Sequence, residues 1–117
     1  MADTVLYGIR NCDTVKKARG FLDARGVAHR FHDFKVEGVE PSMLERWCQA
    51  AGWETVLNRA GTTFRRLPET DKADLTPEKA VALMLAQPSM IKRPVLERDG
   101  AVHVGFKPAQ YEALFGA

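Results

Sequence analysis

The chain has 117 residues, of which 45% are hydrophobic and 27% are charged, and its formal net charge is +2. This length suffices for one domain with a buried core, and the composition is typical of a soluble globular protein. The small charge, spread without a basic block, gives no basis for direct nucleic-acid binding. No apolar stretch approaches the roughly 20 residues of a membrane span. Met1-Ala-Asp-Thr4 lacks the basic start of a signal peptide, so we predict a cytoplasmic protein.

The first third of the chain predicts a strand, a helix and a second strand. An apolar run covers residues 3–8, a helical pattern covers 13–25 and stops at Gly26, and a second strand covers 28–34. One face of the helix is apolar, with Val15, Ala18, Phe21 and Leu22 at helical spacing. This order predicts a right-handed βαβ unit with parallel strands.

The middle of the chain is predicted to be helical. Pro41 and Ser42 open a helix through Ala51 that Gly52 closes, and a short helix around 54–57 follows. Residues 58–72 are predicted as loop. Thr76 as N-cap and Pro77 at the first helical position then begin a helix that runs to about Ala86.

The last part of the chain predicts a hairpin and a helix. Strands over 95–97 and 102–104 flank an Asp99-Gly100 turn, and Pro108 opens a helix through about Leu114. The full order is β-α-β, helices, β-hairpin, helix. We therefore predict an α/β fold of the thioredoxin-like type, a small mixed sheet flanked by helices.

Cys12 is the candidate catalytic residue because it lies between the first strand and the first helix. Unpaired N–H groups and the helix dipole at that position favour the thiolate, which is the nucleophilic form. A free cysteine is also often a small buried hydrophobe, but the polar neighbours Arg10, Asn11, Asp13 and Thr14 favour a reactive thiol in a loop. These four residues are predicted to shape that loop.

Cys48 is predicted to be a packing residue, because it lies in the middle of a helix beside Trp47. No second cysteine follows Cys12 within three positions, so a local dithiol is impossible, and the resolving thiol is either an external one or the distant Cys48. No histidine has metal-ligand spacing to a cysteine, and we predict no metal site.

Two cations near predicted strand ends are candidates to bind an anion. Arg93 precedes Pro94 where the chain enters a strand, and the bond between them is a candidate for the cis form, which would fix the backbone near the site. Lys107 lies at a strand-to-helix corner before Pro108.

Four stretches carry a family resemblance that covers nearly the whole chain. Tyr7-Gly-Ile-Arg-Asn-Cys12-Asp-Thr-Val-Lys-Lys-Ala18 resembles the N-terminal motif of the arsenate reductase-like (ArsC/Spx) family, and is most similar to its YffB subgroup of glutathione-dependent thiol reductases. Three more agree in order and spacing, namely residues 57–67, 88–96 and 104–108.

The resemblance implies a single thioredoxin-like domain over 1–117 with a helical insertion at roughly 36–90. In the glutathione-coupled arsenate reductases of the family, the cysteine that matches Cys12 attacks arsenate, and three arginines surround the oxyanion. Two of these arginines match Arg59 and Arg93, whereas the third position holds Lys107. Lysine lacks the planar fork that suits an oxyanion, so arsenate is the less favoured substrate.

The resemblance therefore predicts a glutathione-dependent thiol reductase, and we expect the protein to be a monomer. Cys12 would be the nucleophile, Arg59, Arg93 and Lys107 would bind an anion, and glutathione would be the co-substrate, with a second glutathione or glutaredoxin as resolving thiol. No bound cofactor is expected. The alternative is a non-enzymatic adaptor like Spx that binds RNA polymerase, through its α-subunit, or another protein. The C-x-x-C switch of many Spx regulators is absent, because Thr14 and Val15 follow Asp13.

Overall fold

The computed structural model describes residues 4–115. The chain divides into two compact units: the first contains the described residues 4–37 and 93–115, and the second contains residues 38–92. The prediction of a single domain is not tested by this division and stays a prediction.

The first unit holds a four-stranded mixed sheet. Its elements are β1 (Thr4–Gly8), α1 (Asp13–Ala24), β2 (Arg30–Asp33), α2 (Phe34–Glu37), β3 (Val95–Arg98), β4 (Ala101–Val104) and α8 (Pro108–Phe115). The strand order is β2-β1-β3-β4, with β1 parallel to β2 and antiparallel to β3. This is the predicted thioredoxin-like α/β arrangement, and the prediction is confirmed. The first predicted strand began at residue 3, which lies outside the described residues.

The hairpin between β3 and β4 follows from its two turn residues. Asp99 and Gly100 both have positive φ, 51° and 83°. A turn with two left-handed residues matches the twist of paired strands, which is why Asp-Gly favours it.

The core of the first unit lies between the sheet and helices α1 and α8. Its fully buried residues are Leu6, Ala18, Leu22, Leu96 and Tyr111. The predicted apolar face of α1 accounts for this packing, since Val15, Ala18 and Leu22 are buried and Phe21 is partly buried.

The second unit is made of helices. They are α3 (Pro41–Ala51), α4 (Trp53–Val56), α5 (Thr62–Arg65), α6 (Glu69–Lys72), α7 (Pro77–Ala86) and a 3₁₀ turn at Pro88–Met90. Residues of α3 and α7 form its core, including Leu44, Trp47 and Met84, which are fully buried. The predicted cap of α7 is present, since the Lys79 N–H donates to Thr76 Oγ1 at 3.1 Å.

The prediction of loop over 58–72 is wrong, because α5 and α6 lie there. Each is a single turn, too short to show a helical period, and only Phe64 is buried in them. The predicted strand over 28–34 is also too long. Asp33 Oδ1 accepts the Lys35 N–H at 2.8 Å, and this local bond turns the chain into α2 at Phe34.

In the described part of the chain, no helix has the length and apolar character needed to cross a membrane.

Candidate active site

Cys12 is the N-cap residue of α1. Between Gly8 and Cys12 the chain makes a tight turn in which the Cys12 N–H donates to the Ile9 carbonyl at 3.1 Å. The Cys12 carbonyl accepts the Lys16 N–H at 2.9 Å, which starts the helical ladder. Its backbone is extended, with φ −88° and ψ 125°. The Cys12 side chain therefore lies at the N-terminus of α1, where the first N–H groups of the helix have no intrahelical acceptor.

The environment of Cys12 favours the thiolate. Partial burial raises the pKa of the thiol, but this effect is outweighed by the Val15 N–H, the Arg93 guanidinium and the Thr14 N–H, which all stabilise the anion, so the pKa lies below its ordinary value of 9.0. As a neutral thiol, the Cys12 side chain makes no capping hydrogen bond to the N–H groups of α1. The two N–H groups are placed to donate to sulfur once it is charged, when it becomes a much better acceptor.

Cys48 has the opposite electrostatic character. Burial raises the pKa of its thiol, with no cation or N–H group to offset the cost of ionisation. This agrees with its prediction as a packing residue, since it is partly buried on α3.

Arg93 reaches Cys12 because of the sheet register. Val95 at the start of β3 pairs with Tyr7 near the end of β1, so residues just before β3 lie at the end of the sheet from which the Cys12 loop leaves. The Arg93–Pro94 bond is cis, the form that the sequence analysis considered. The Arg93 side chain donates a hydrogen bond to Cys12 and adds its positive charge there.

Gly8 lets α1 begin close to the sheet. A Cβ built on Gly8 would lie 2.7 Å from Val15 Cγ2. Val15 is fully buried in the first turns of α1, and its N–H is one of the groups that lower the Cys12 pKa. The absence of a side chain at Gly8 therefore helps to set the distance between the sheet and the N–H groups that face the sulfur.

Asp33 is a residue of the site region that the sequence analysis missed. It pairs with Gly8 at the end of the parallel β1–β2 ladder and is 5% exposed. Its Oδ2 accepts the Arg10 N–H at 3.2 Å, and its Oδ1 accepts the Lys35 N–H. One carboxylate thus ties the Cys12 loop to the end of β2. The available signal was a carboxylate at the C-terminal end of the strand predicted to pair with β1.

The remaining predicted loop residues have separate roles in the structure. Thr14 is half-buried and supplies an N–H to the sulfur. Arg10 contributes its backbone N–H to Asp33 while its side chain is exposed. Asn11 and Asp13 are exposed, and Asp13 lies in the first turn of α1, where a negative charge suits the helix dipole.

The structure describes other contacts for the remaining two predicted cations. Arg59 lies in the second unit, exposed, with its guanidinium 5.6 Å from the centre of the Trp53 ring. Lys107 lies in the first unit, exposed, and its carbonyl accepts the Tyr111 N–H at 3.1 Å at the start of α8. Their roles in anion binding stay predictions. Among residues 4–115 no cluster of three or more His, Cys, Asp or Glu side chains is arranged to hold a metal ion.

Comparison with known proteins places this site in a family. The ArsC family matches residues 7–114, which includes the Cys12 loop, Arg93 and both units. The chain belongs to the ArsC family. This confirms the resemblance on which the sequence analysis relied.

Solved structures of ArsC-family proteins agree in fold and sequence. The YffB (PA3664) protein is 61% identical, with a TM-score of 0.94 over 97% of this chain and 99% of its own. An arsenate reductase (ArsC) related protein from Brucella melitensis is 56% identical, with a TM-score of 0.78 over 98% and 96%. This chain is accordingly an ArsC-family protein similar to YffB.

A more distant relative is a regulator. The global transcriptional regulator Spx of Lactiplantibacillus plantarum is 21% identical over 87% of this chain and 78% of its own length. The proteins similar to this chain thus include one described as a transcriptional regulator and one described as related to arsenate reductase.

Proposed function

We propose that this ArsC-family protein is a glutathione-dependent thiol reductase with Cys12 as its nucleophile. The observation that carries the proposal is the hydrogen bond from Arg93 to Cys12 at the N-terminus of α1. A low-pKa thiol that is only partly buried, beside a cation and helix N–H groups, is the environment of reactive cysteines. Burial raises the pKa of Cys48 instead, and Cys48 is not proposed as the nucleophile.

The proposed reaction is two thiol–disulfide exchanges. The Cys12 thiolate attacks the glutathione sulfur of a glutathionylated substrate; a Cys12–glutathione disulfide forms, the old S–S bond breaks, and the substrate thiolate leaves and takes a proton from water. A second glutathione, as thiolate, then attacks the glutathione sulfur of that mixed disulfide. Oxidised glutathione leaves and the Cys12 thiolate is restored. The net reaction reduces the substrate's mixed disulfide to a thiol and consumes one free glutathione, which leaves with the transferred glutathione unit as oxidised glutathione.

The cations have distinct roles in this proposal. Arg93 stabilises Cys12 both as attacking thiolate and as leaving group in the second exchange. Arg59 and Lys107 are proposed, from the family resemblance, to bind the carboxylates of glutathione. A flexible lysine suits a carboxylate ligand as a point charge, whereas a tetrahedral oxyanion favours the bidentate arginine fork. We therefore propose a mixed disulfide with glutathione, rather than arsenate, as the substrate, in a reducing cytoplasmic environment, with glutaredoxin as an alternative thiol donor to glutathione.

A turnover assay tests the proposal. A glutathionylated peptide is offered with reduced glutathione, and formation of oxidised glutathione is followed by coupling to glutathione reductase. Cys12→Ser is expected to lower the rate to that of the uncatalysed exchange, while the matched change Cys48→Ser leaves it within about twofold, because only Cys12 forms the mixed disulfide. Unchanged turnover by Cys12→Ser would refute the proposal. Loss of turnover in Cys48→Ser would identify Cys48 as the resolving thiol.

The similarity to Spx supports a second candidate, an adaptor that binds the α-subunit of RNA polymerase. Binding of an adaptor would depend on its surface and not on the thiol. Pull-down with the C-terminal domain of the α-subunit separates the two functions. Capture that Cys12→Ser retains, together with absence of glutathione turnover in the wild type, would favour the adaptor.

A further inference from the structure

A groove in the second unit is lined by residues that have no role in the chemistry proposed for Cys12. It has a volume of about 600 Å³, within the usual range of small-molecule sites, and it is formed by side chains of α3, α4 and α7. All its lining residues belong to the second unit. We call it the α3–α7 groove.

One part of the α3–α7 groove is apolar. Its wall is formed by Trp53, Pro77, Val81 and the thiol of Cys48. Burial raises the pKa of Cys48, so this side chain is a neutral, weakly polar part of the wall. Trp53 is partly buried and has the largest side chain in this wall.

The charged part of the groove is entirely acidic. Glu45 on α3 and Glu78 in the first turn of α7 line it, and no lysine or arginine does. Within residues 4–115 neither carboxylate has an ion-pair partner or a side-chain hydrogen bond. Both are exposed and therefore available to a ligand.

The aromatic wall is also suited to a cation. Trp is the side chain whose ring face attracts cations most strongly. The Arg59 guanidinium lies 5.6 Å from the centre of the Trp53 ring and competes with a bound ammonium ion for it, so the two carboxylates have to supply the charge selectivity. Two carboxylates without partners, an indole ring and an aliphatic wall thus share one groove.

We propose that the α3–α7 groove binds a small organic ammonium ion with an apolar body. The ammonium group would lie between Glu45 and Glu78, and the body would lie against Trp53 and Val81. An anion would be repelled by both carboxylates, and a neutral ligand of the same shape would gain only the apolar contact. The groove is therefore selective for the charge of the ligand.

Three probes with the same body and different head groups test this selectivity. They are 4-phenylbutylamine, 4-phenylbutanol and 4-phenylbutyrate, titrated into the full chain in low-salt buffer at pH 7. Binding is read from tryptophan fluorescence and, in a Cys12→Ser background, from protection of Cys48 against alkylation. The amine is expected to bind about tenfold more tightly than the alcohol, and the carboxylate more weakly than both.

Isosteric variants identify the carboxylates responsible. Glu45→Gln and Glu78→Gln are each expected to weaken the binding of the amine about threefold and to leave the binding of the alcohol unchanged. Glu54→Gln is the matched control, because Glu54 is an exposed glutamate on α4 that does not line the groove. The proposal is overturned by equal binding of amine and alcohol, by absence of amine binding at millimolar concentration, or by an equal effect of Glu54→Gln.

Discussion

Arg93 donates a hydrogen bond to Cys12, although the two residues lie in distant parts of the sequence. The antiparallel pairing of β1 with β3 places the start of β3 at the end of β1, and this register brings the guanidinium to the thiol. The N–H groups of Thr14 and Val15 in the first turn of α1 act on the same sulfur. Two independent features of the fold therefore lower the pKa of one cysteine.

The two cysteines should differ in their alkylation by iodoacetamide. The Cys12 pKa is lowered and the Cys48 pKa is raised. Only the thiolate reacts, so at pH 7 Cys12 is expected to react faster than Cys48, and its rate should reach a plateau at lower pH. Mass spectrometry of peptides from samples quenched between pH 5 and pH 10 gives both profiles. Coincident profiles would contradict the description of the site.

The same pKa shift predicts how stability depends on pH. An acid whose pKa is lower in the folded state favours folding above its unfolded pKa, and this contribution is lost as pH falls through the folded value. The free energy of unfolding of the wild type minus that of Cys12→Ser should therefore rise from pH 6 to pH 9. Urea unfolding at pH 6 and pH 9 measures this difference. The control is Cys48→Ser: the free energy of unfolding of the wild type minus that of Cys48→Ser should not rise over this range.

Arg93→Ala is expected to raise the Cys12 pKa, because a donor and a positive charge beside the thiolate are lost. The alkylation rate of Cys12 at pH 7 should fall by about fivefold, a value reduced from that of a buried pair by partial solvent exposure. Arg93→Lys keeps the charge and should recover part of the loss. The control is Arg98→Ala, at the other end of β3 from Arg93, where the Arg98 side chain donates to the Leu114 carbonyl. An unchanged pH profile of Cys12 alkylation in Arg93→Ala would contradict the hydrogen bond between Arg93 and Cys12.

Gly8→Ala tests the close approach of the sheet to α1. The new Cβ would meet Val15 Cγ2 at 2.7 Å, so one of the two elements has to move. We expect a loss of about 1–3 kcal/mol in the free energy of unfolding and a raised Cys12 pKa, because the Val15 N–H moves with its helix.

Gly20→Ala is the matched control for Gly8→Ala. A Cβ at Gly20 meets nothing within 4 Å, and Gly20 lies in the middle of α1. This change should stabilise the protein by roughly 0.5–1 kcal/mol and leave the Cys12 profile unchanged. If both glycine variants behave alike in chemical unfolding and alkylation, the steric explanation is wrong.

Asp33→Ala tests the anchoring of the Cys12 loop. Removing the carboxylate leaves the Arg10 and Lys35 N–H groups without their acceptor, which should cost about 1–3 kcal/mol of stability. We also expect a slower alkylation of Cys12, since the loop loses its anchor to β2. Asp33→Asn keeps one acceptor oxygen, so its stability and its Cys12 alkylation rate should lie between those of the wild type and Asp33→Ala. The exposed Asp23→Ala on α1 provides the control for removal of a carboxylate.

The sheet and the position of Cys12 were predictable because their signals are local. Val15, Ala18 and Leu22 repeat at helical spacing, and Asp99-Gly100 specifies its turn without help from the rest of the chain. Cys12 was found in the same way, since a strand that ends at Gly8 and a helix that begins at Asp13 leave it at a helix N-terminus.

The missed features depend on contacts between distant residues or on very short elements. Asp33 acts on Arg10 through the parallel pairing of β1 and β2, which spacing alone does not reveal. The one-turn helices α5 and α6 are too short for a period to be seen. Arg93 was predicted as a site residue from its place before Pro94, but its hydrogen bond to Cys12 required the register of β3.

Mass spectrometry of the native protein after exposure to oxidised glutathione tests the central claim most directly. The account predicts one glutathione per chain, located on Cys12 by peptide mapping, absent in Cys12→Ser and removed by reduced glutathione. An unmodified Cys12 under conditions that modify Cys48, or a Cys12–Cys48 disulfide in place of the adduct, would contradict it.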